Sequence, residues 1–142
     1  LLINNGYRLI VISNQSGIGR GYFTREDAIQ VNEHLSQILA REGINIEKFY
    51  FCPHAPQENC KCRKPKIALV EQAAKELDFD ISDILCVIGD KEIDLEFAKN
   101  LSTKAVLVKT GYGMKNYNTK LADIIADDLL DVANHLCLLT QE

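Results

Sequence analysis

Cys52, His54, Cys60 and Cys62 fall in the pattern C-x-H-x5-C-x-C. Three thiolates and one imidazole form a complete tetrahedral set for Zn²⁺, with no coordination position left for water. Soft sulfur donors disfavour magnesium and calcium. A closed set implies a structural ion that staples a loop too short and polar to hold itself. Reduced surface cysteines beside an idle histidine, or iron–sulfur ligation, are the competing readings, and the tight spacing favours zinc over both. The same stretch, CPHAPQENCKCRKP at residues 52–65, holds all three prolines of the chain and ends in Arg63-Lys64-Pro65. A loop fixed by metal holds the two cations beyond it in one place. Pro65 has no N–H to donate and suits the first turn of a following helix. Cations there oppose the helix dipole, which disfavours an idle role. Two fixed cations suit an anionic substrate, phosphate above all.

Two further polar clusters point the same way. Ser13 and Asn14 end an apolar run, where a hydroxyl and backbone N–H groups hold a phosphate oxygen without adding charge. Gly17, Gly19 and Gly21 follow and let backbone approach a ligand, with Arg20 able to reach a second anionic group; a plain flexible connection is the other reading of this turn. Asp90 stands one residue past Gly89, which ends a second apolar run. A carboxylate there suits Mg²⁺, which takes one or two protein carboxylates and completes its shell with waters and phosphate oxygens. Asp94 reads as an N-cap and as a carboxylate placed to orient Lys64.

The elements that must position these residues alternate in type. Residues 7–13, YRLIVIS, read as a strand buried on both faces. Thr24 reads as an N-cap with Asp27 three residues on. Ala28, Val31, Leu35 and Ile38 give the following helix an apolar face, and Gly43 closes it. Residues 49–51 form a second strand running into the cysteine loop. A helix is expected over 67–77, a buried strand over 84–88, a short helix around Leu95, Ala98 and Leu101, a strand over 105–108, a short strand over 124–126 and a helix over 128–139. His34 and His135 fall in helices without ligand companions. Residues 111–120, GYGMKNYNTK, with Tyr112, Lys115 and Tyr117, read as a surface loop. The alternation predicts a doubly wound parallel α/β sheet covered on both faces, with its ligand site beyond the carboxyl ends of the strands.

Bulk properties narrow the function. The chain has 142 residues, 46% hydrophobic and 25% charged, enough for one globular domain. A net charge of −4 gives no electrostatic case for nucleic acid or an anionic membrane. No apolar run nears the roughly 20 residues that span a bilayer. The five cysteines, three of them in one loop, favour metal binding in a reducing cytoplasm over a disulfide framework. The opening LLINNG reads as the end of a helix stopped by Gly6, with no leader pattern.

Three blocks in order, VISNQSGIGRG, CPHAPQENCKCRKP and VIGDKEID, resemble the haloacid dehalogenase (HAD) superfamily of phosphohydrolases. More narrowly they are similar to its zinc-loop branch, the D-glycero-D-manno-heptose bisphosphate phosphatases and the histidinol-phosphate phosphatases. The resemblance covers about Gly6 to Gly113. It implies a Rossmann-like three-layer sandwich with a zinc loop inserted at 52–62. It implies that Ser13 contacts the transferring phosphoryl group with Asn14 beside it, that Lys64 neutralises nucleophile and phosphate, and that Arg63 touches substrate. It further implies that Asp90 binds Mg²⁺, that Lys91 lines the site and that Asp94 supports the lysine or the metal shell.

The chain departs from that family in one respect. The D-x-D-G-[TV] strand that carries the family's nucleophilic aspartate and its acid/base is not in the sequence. The expectation is therefore a single domain, 1–142, truncated at its N-terminus, lacking a central strand and inactive by itself. An upstream segment would complete the sheet. The complete enzyme would transfer phosphate to that aspartate and then to water, from a small phosphorylated metabolite. NQSGIGRG with Arg20 favours heptose bisphosphate, while the short zinc loop is equally at home in histidinol-phosphate enzymes. A zinc-bearing scaffold module is the reading from another class. A phospho-receiver domain has no use for the Cys/His cluster, and the DNA-end phosphatases that share the NQ-x-G turn lack the zinc loop.

Overall fold

The computed structural model describes residues 1–116 and 119–139, so Tyr117 lies outside the described residues. Gly6, with φ of +82°, ends a 3-10 turn at Ile3–Asn5, and the chain then enters β1 (Ile10–Asn14). There follow α1 (Ser16–Gly19), α2 (Arg25–Arg41), β2 (Lys48–Cys52), α3 (Ala68–Leu77), β3 (Cys86–Gly89), α4 (Glu92–Asn100), β4 (Lys104–Val108), α5 (Gly113–Asn116), β5 (Ile124–Ala126) and α6 (Leu129–Leu139). The alternation read from the sequence holds throughout. Pro65 is an exception at a boundary: α3 starts at Ala68, so the proline precedes the helix instead of opening it.

All pairings are parallel, but they form two sheets, β1-β2 and β3-β4-β5. Registers such as Asn14 with Cys52 and Gly89 with Leu107 align the carboxyl ends within each sheet. Alternating side chains then sort into layers. Tyr50 and Cys52 pack on Leu69 and Ala73 of α3, and Ala105 and Leu107 pack on Leu95 and Ala98 of α4. Val106 and Val108 point the other way, onto Val132 and Leu136 of α6. A further cluster of Val70, Phe97 and Leu101 collects Ile12 from β1 and Val87 from β3, and so joins the two sheets through α3 and α4.

Burial differs among the strands in a way composition does not explain. Ala105, Val106, Leu107 and Val108 of β4 are all buried, whereas every residue of the mostly apolar β1 and β3 is only partly covered. Among the described residues, β1 and β3 each have a strand on one side only.

Helix α2 begins as expected. The Thr24 hydroxyl accepts from the Asp27 N–H at 3.1 Å, and the Asp27 carboxylate accepts from the Thr24 N–H at 2.8 Å, a complete capping box. Its apolar stripe does not behave as expected. Ala28 alone of the four is buried; Val31 is 67% exposed, Leu35 42% and Ile38 44%. Periodicity marks which residues share a face, but not whether another element covers it.

These burials set opposite outcomes for two truncations. Leu95→Ala, in the fully buried α4–β4 contact, is expected to cost about 2–5 kcal/mol. Val31→Ala should change stability by no more than about 0.5 kcal/mol. Urea denaturation of both variants checks the pair.

Candidate functional site

The cysteine loop starts where β2 stops. Cys52 is completely buried against α3, and the loop then makes a 3-10 turn at Pro56–Glu58 and a left-handed step at Asn59, φ +47°. The four ligand atoms lie within 4.8 Å of one another. Cys52 Sγ is 3.4 Å from Cys60 Sγ and 3.5 Å from His54 Nδ1; Cys62 Sγ is 3.2 Å from His54 Nδ1 and 3.7 Å from Cys60 Sγ. A disulfide would need about 2.05 Å. A tetrahedron with metal–sulfur bonds of about 2.3 Å has edges near 3.8 Å, so the cluster is shaped to hold a metal ion. The thiols register the crowding. Burial pushes Cys52 up to about 12 and raises Cys62. Burial also works against ionisation of Cys60, but hydrogen bonding from Cys52, Arg63 and Cys62 brings it down to about 7.

The loop is tied to the turn after β1. Gln15 N–H donates to Cys52 O and Gly19 N–H to Pro53 O, both at 2.8 Å. A Cβ on Gly19 would lie 2.5 Å from the Ala55 nitrogen, so only glycine permits this approach. Beyond the loop, Lys64 N–H donates to Asn14 Oδ1 at 3.0 Å, and Asn14 Nδ2 donates to Lys64 O at 3.3 Å. Asn14 thereby clasps the Lys64 backbone on both sides.

The Lys64 ammonium donates to Ile12 O at 2.8 Å and to Asp94 Oδ1 at 2.6 Å. Both side chains are nearly buried, 13% and 9% exposed. Asp94 is the third residue of α4, not its N-cap, and its other oxygen accepts from the Lys91 N–H at 3.2 Å. A Cβ on Gly89 would fall 2.3 Å from the Asp94 Cβ, so the glycine that ends β3 is what admits this carboxylate. One ion pair therefore joins the carboxyl ends of both sheets. Ser13 lies beside it in β1, its hydroxyl 3.4 Å from Gln15 Nε2. Asp90 stands past β3, and its Oδ2 accepts from the Tyr112 N–H at 2.9 Å. Arg63 Nη1 is buried and meets no hydrogen-bond acceptor among the described residues.

The chain's sequence and fold match known proteins. The HAD-hydrolase-like family model matches residues 61–132. A D-glycero-β-D-manno-heptose-1,7-bisphosphate 7-phosphatase of Haemophilus ducreyi is 36% identical over 143 residues, 95% of this chain and 78% of that protein. The chain belongs to the HAD-hydrolase-like family. A protein of the same name from Helicobacter pylori strain J99 is 47% identical over 111 residues, and there the match spans 63% of the relative's length. The crystal structure of a D,D-heptose 1,7-bisphosphate phosphatase from B. bronchiseptica, complexed with magnesium and phosphate, superposes with a TM-score of 0.86 at 28% identity, covering 99% of this chain and 79% of that one.

In this HAD-family chain the residues singled out from sequence gather at the carboxyl ends of the strands. Ser13, Asn14, Lys64 and Asp94 are linked directly or through one residue, and Asp90 and Lys91 adjoin them. Arg20 caps α1 at the far end of the same turn and is exposed. Three contributors had no role in the site from sequence: Gln15, Gly89, noted only as the end of a strand, and Tyr112, read only as part of a surface loop. Gly89 carried a signal, since a glycine five residues before a helix-start aspartate permits that close contact. The Tyr112 backbone donor carried none.

Breaking a buried ion pair on one side leaves an uncompensated charge, so Asp94→Ala should destabilise by about 3–5 kcal/mol. Replacing both partners should recover part of that loss. Equilibrium unfolding of Asp94→Ala, Lys64→Met and the double variant measures the coupling.

Proposed function

We propose that this chain carries the substrate- and metal-holding part of a magnesium-dependent phosphomonoesterase acting on a sugar bisphosphate, D-glycero-D-manno-heptose 1,7-bisphosphate. The observation that carries the reading is the Arg63-Lys64 pair: one cation held on the Asp94 carboxylate, the other with a buried N–H that meets no acceptor among the described residues. A buried donor of that kind calls for a partner, and an anionic oxygen is the strongest one. The names of the relatives supply the substrate.

The donor sets fit both ions. Zinc suits Cys52, His54, Cys60 and Cys62, as a structural ion remote from the chemistry. A single carboxylate at the strand ends, Asp90, meets what Mg²⁺ asks of protein. Magnesium, when bound, offsets charge on the phosphoryl oxygens. The chain's residues do the rest. Ser13 hydroxyl donates to a phosphoryl oxygen. Lys64 ammonium, aimed by Ile12 O and Asp94, stabilises charge on the equatorial oxygens. Asn14 fixes the Lys64 backbone, and Arg63, Lys91 and Arg20 hold the remainder of the substrate.

The nucleophile belongs, in this proposal, to a strand pairing between β1 and β3. Support comes from the partial burial of both apolar strands and from their shared contacts with Val70, Phe97 and Leu101. A carboxylate oxygen there forms a bond to phosphorus as the bond to the sugar oxygen breaks, and a neighbouring acid protonates that oxygen. Water then cleaves the acyl phosphate and releases inorganic phosphate. A Cys/His metal cluster of this kind suits a reducing cytoplasm, and no helix among the described residues is long and apolar enough to cross a membrane.

The full-length protein with Mg²⁺ should hydrolyse the heptose bisphosphate faster than histidinol phosphate. The reverse order transfers the assignment to the histidinol-phosphate branch, and failure on both with the zinc site loaded favours the scaffold reading. Elemental analysis should find about one zinc per chain, lost in Cys60→Ser. Because metal-free Cys52 and Cys62 hold their protons, zinc must displace them. Its affinity should therefore rise with pH, most steeply below about 7 where Cys60 also protonates. Chelator competition across pH 6–8 reads the sign.

A further inference from the structure

The turn after β4 reaches back over the end of β3. Gly111 has φ of +61°, and a Cβ there would lie 2.3 Å from Asp90 Oδ2 and 3.2 Å from its carboxyl carbon. The Asp90 carboxylate therefore rests on bare backbone. The next residue, Tyr112, donates its N–H to the same oxygen at 2.9 Å. The turn itself is held at both ends. Lys109 N–H donates to Ala126 O at 3.0 Å, and Gly113 N–H donates to Thr110 O at 3.0 Å. A Cβ on Gly113 would sit 1.7 Å from Val108 O, so the chain is folded tightly onto β4.

The Tyr112 ring makes a second contact. Lys91 Nζ lies 4.3 Å from its centroid. Lys64, Lys48, Lys99 and Lys109 each pair with a carboxylate, whereas Lys91 has none among the described residues. An aromatic face seats an ammonium without neutralising it. The charge of Lys91 thus stays available to an anion.

We propose that the Gly111-Tyr112 turn positions both neighbouring site residues: its backbone aims the Asp90 carboxylate at a divalent cation, and its ring holds the Lys91 ammonium toward phosphate. This rests on the site reading given under Proposed function. Gly111 and Tyr112 are positioning residues, acting through Asp90 and Lys91. The two halves are separable, because the N–H belongs to the backbone and survives any change of the Tyr112 side chain other than proline.

The test uses the full-length protein, with Mn²⁺ as the cation probe, read by electron paramagnetic resonance, and inorganic phosphate as the anion probe, read by calorimetry. Gly111→Asn is the informative variant, since asparagine tolerates positive φ but still brings a Cβ against Asp90. It should weaken Mn²⁺ binding by about 10–100-fold, the usual effect of losing an outer-sphere partner. Tyr112→Ala should leave Mn²⁺ affinity within about twofold and lower phosphate affinity by about two- to fivefold. Tyr112→Phe should restore phosphate binding. Zinc content and melting temperature verify folding, and the Tyr112 pair stands as the test if Gly111→Asn does not fold. Wild-type Mn²⁺ affinity in Gly111→Asn, or equal loss of both ligands in Tyr112→Ala, overturns the proposal alone. A wild-type protein that binds neither probe overturns the underlying site reading as well.

Discussion

Among the described residues, two sheets that share no strand pairing are joined at their carboxyl ends by one ion pair, Lys64 with Asp94. The lysine follows the cysteine loop that leaves β2 and touches the main chain of β1. The aspartate opens the helix that leaves β3. Taking both charges out of water costs several kcal/mol per ion, so neither position tolerates being unpaired. The cost is offset by geometry: the ammonium has a second acceptor in Ile12 O, and the carboxylate has a second donor in the Lys91 N–H. Phe97 lies 6.0 Å from the ammonium and belongs to the apolar cluster that joins the sheets from below. The same contact that joins the sheets leaves the Lys64 ammonium fixed in direction at the carboxyl ends of the strands.

The remaining site residues are placed by close backbone approach. Gly89 lets Asp94 sit against the end of β3, Gly19 lets the turn after β1 sit against the cysteine loop, and Gly111 lets the turn after β4 sit against Asp90. At each of these glycines an added Cβ would collide with the neighbouring segment. The result is a chain of dependence. The Cys/His cluster closes the loop, Asn14 clasps the Lys64 backbone just beyond it, and Lys64 holds Asp94.

The unequal burial of the strands is the complement of this arrangement. β4 is enclosed by α4 and α6 and sandwiched between β3 and β5. β1 and β3 share its apolar character but not its cover.

Much of this was legible in the sequence for local reasons. Element order followed from apolar runs and capping residues, which act within a few positions; Thr24 with Asp27 formed the full capping box. The cysteine pattern carried its own geometry, since four ligands in so short a loop have few ways to avoid one another. Membership in the HAD-hydrolase-like family could be read from three short blocks. What tertiary structure alone decided was coverage and juxtaposition. The α2 stripe is periodic yet exposed, because periodicity cannot say whether a partner element arrives. Asp94 sits at the third helical position instead of the cap, because Gly89 makes room for it. The grip of the Tyr112 N–H on Asp90 belongs to a main-chain group that any residue but proline would provide. Composition and spacing act along the chain, whereas the site exists only where segments distant in sequence meet.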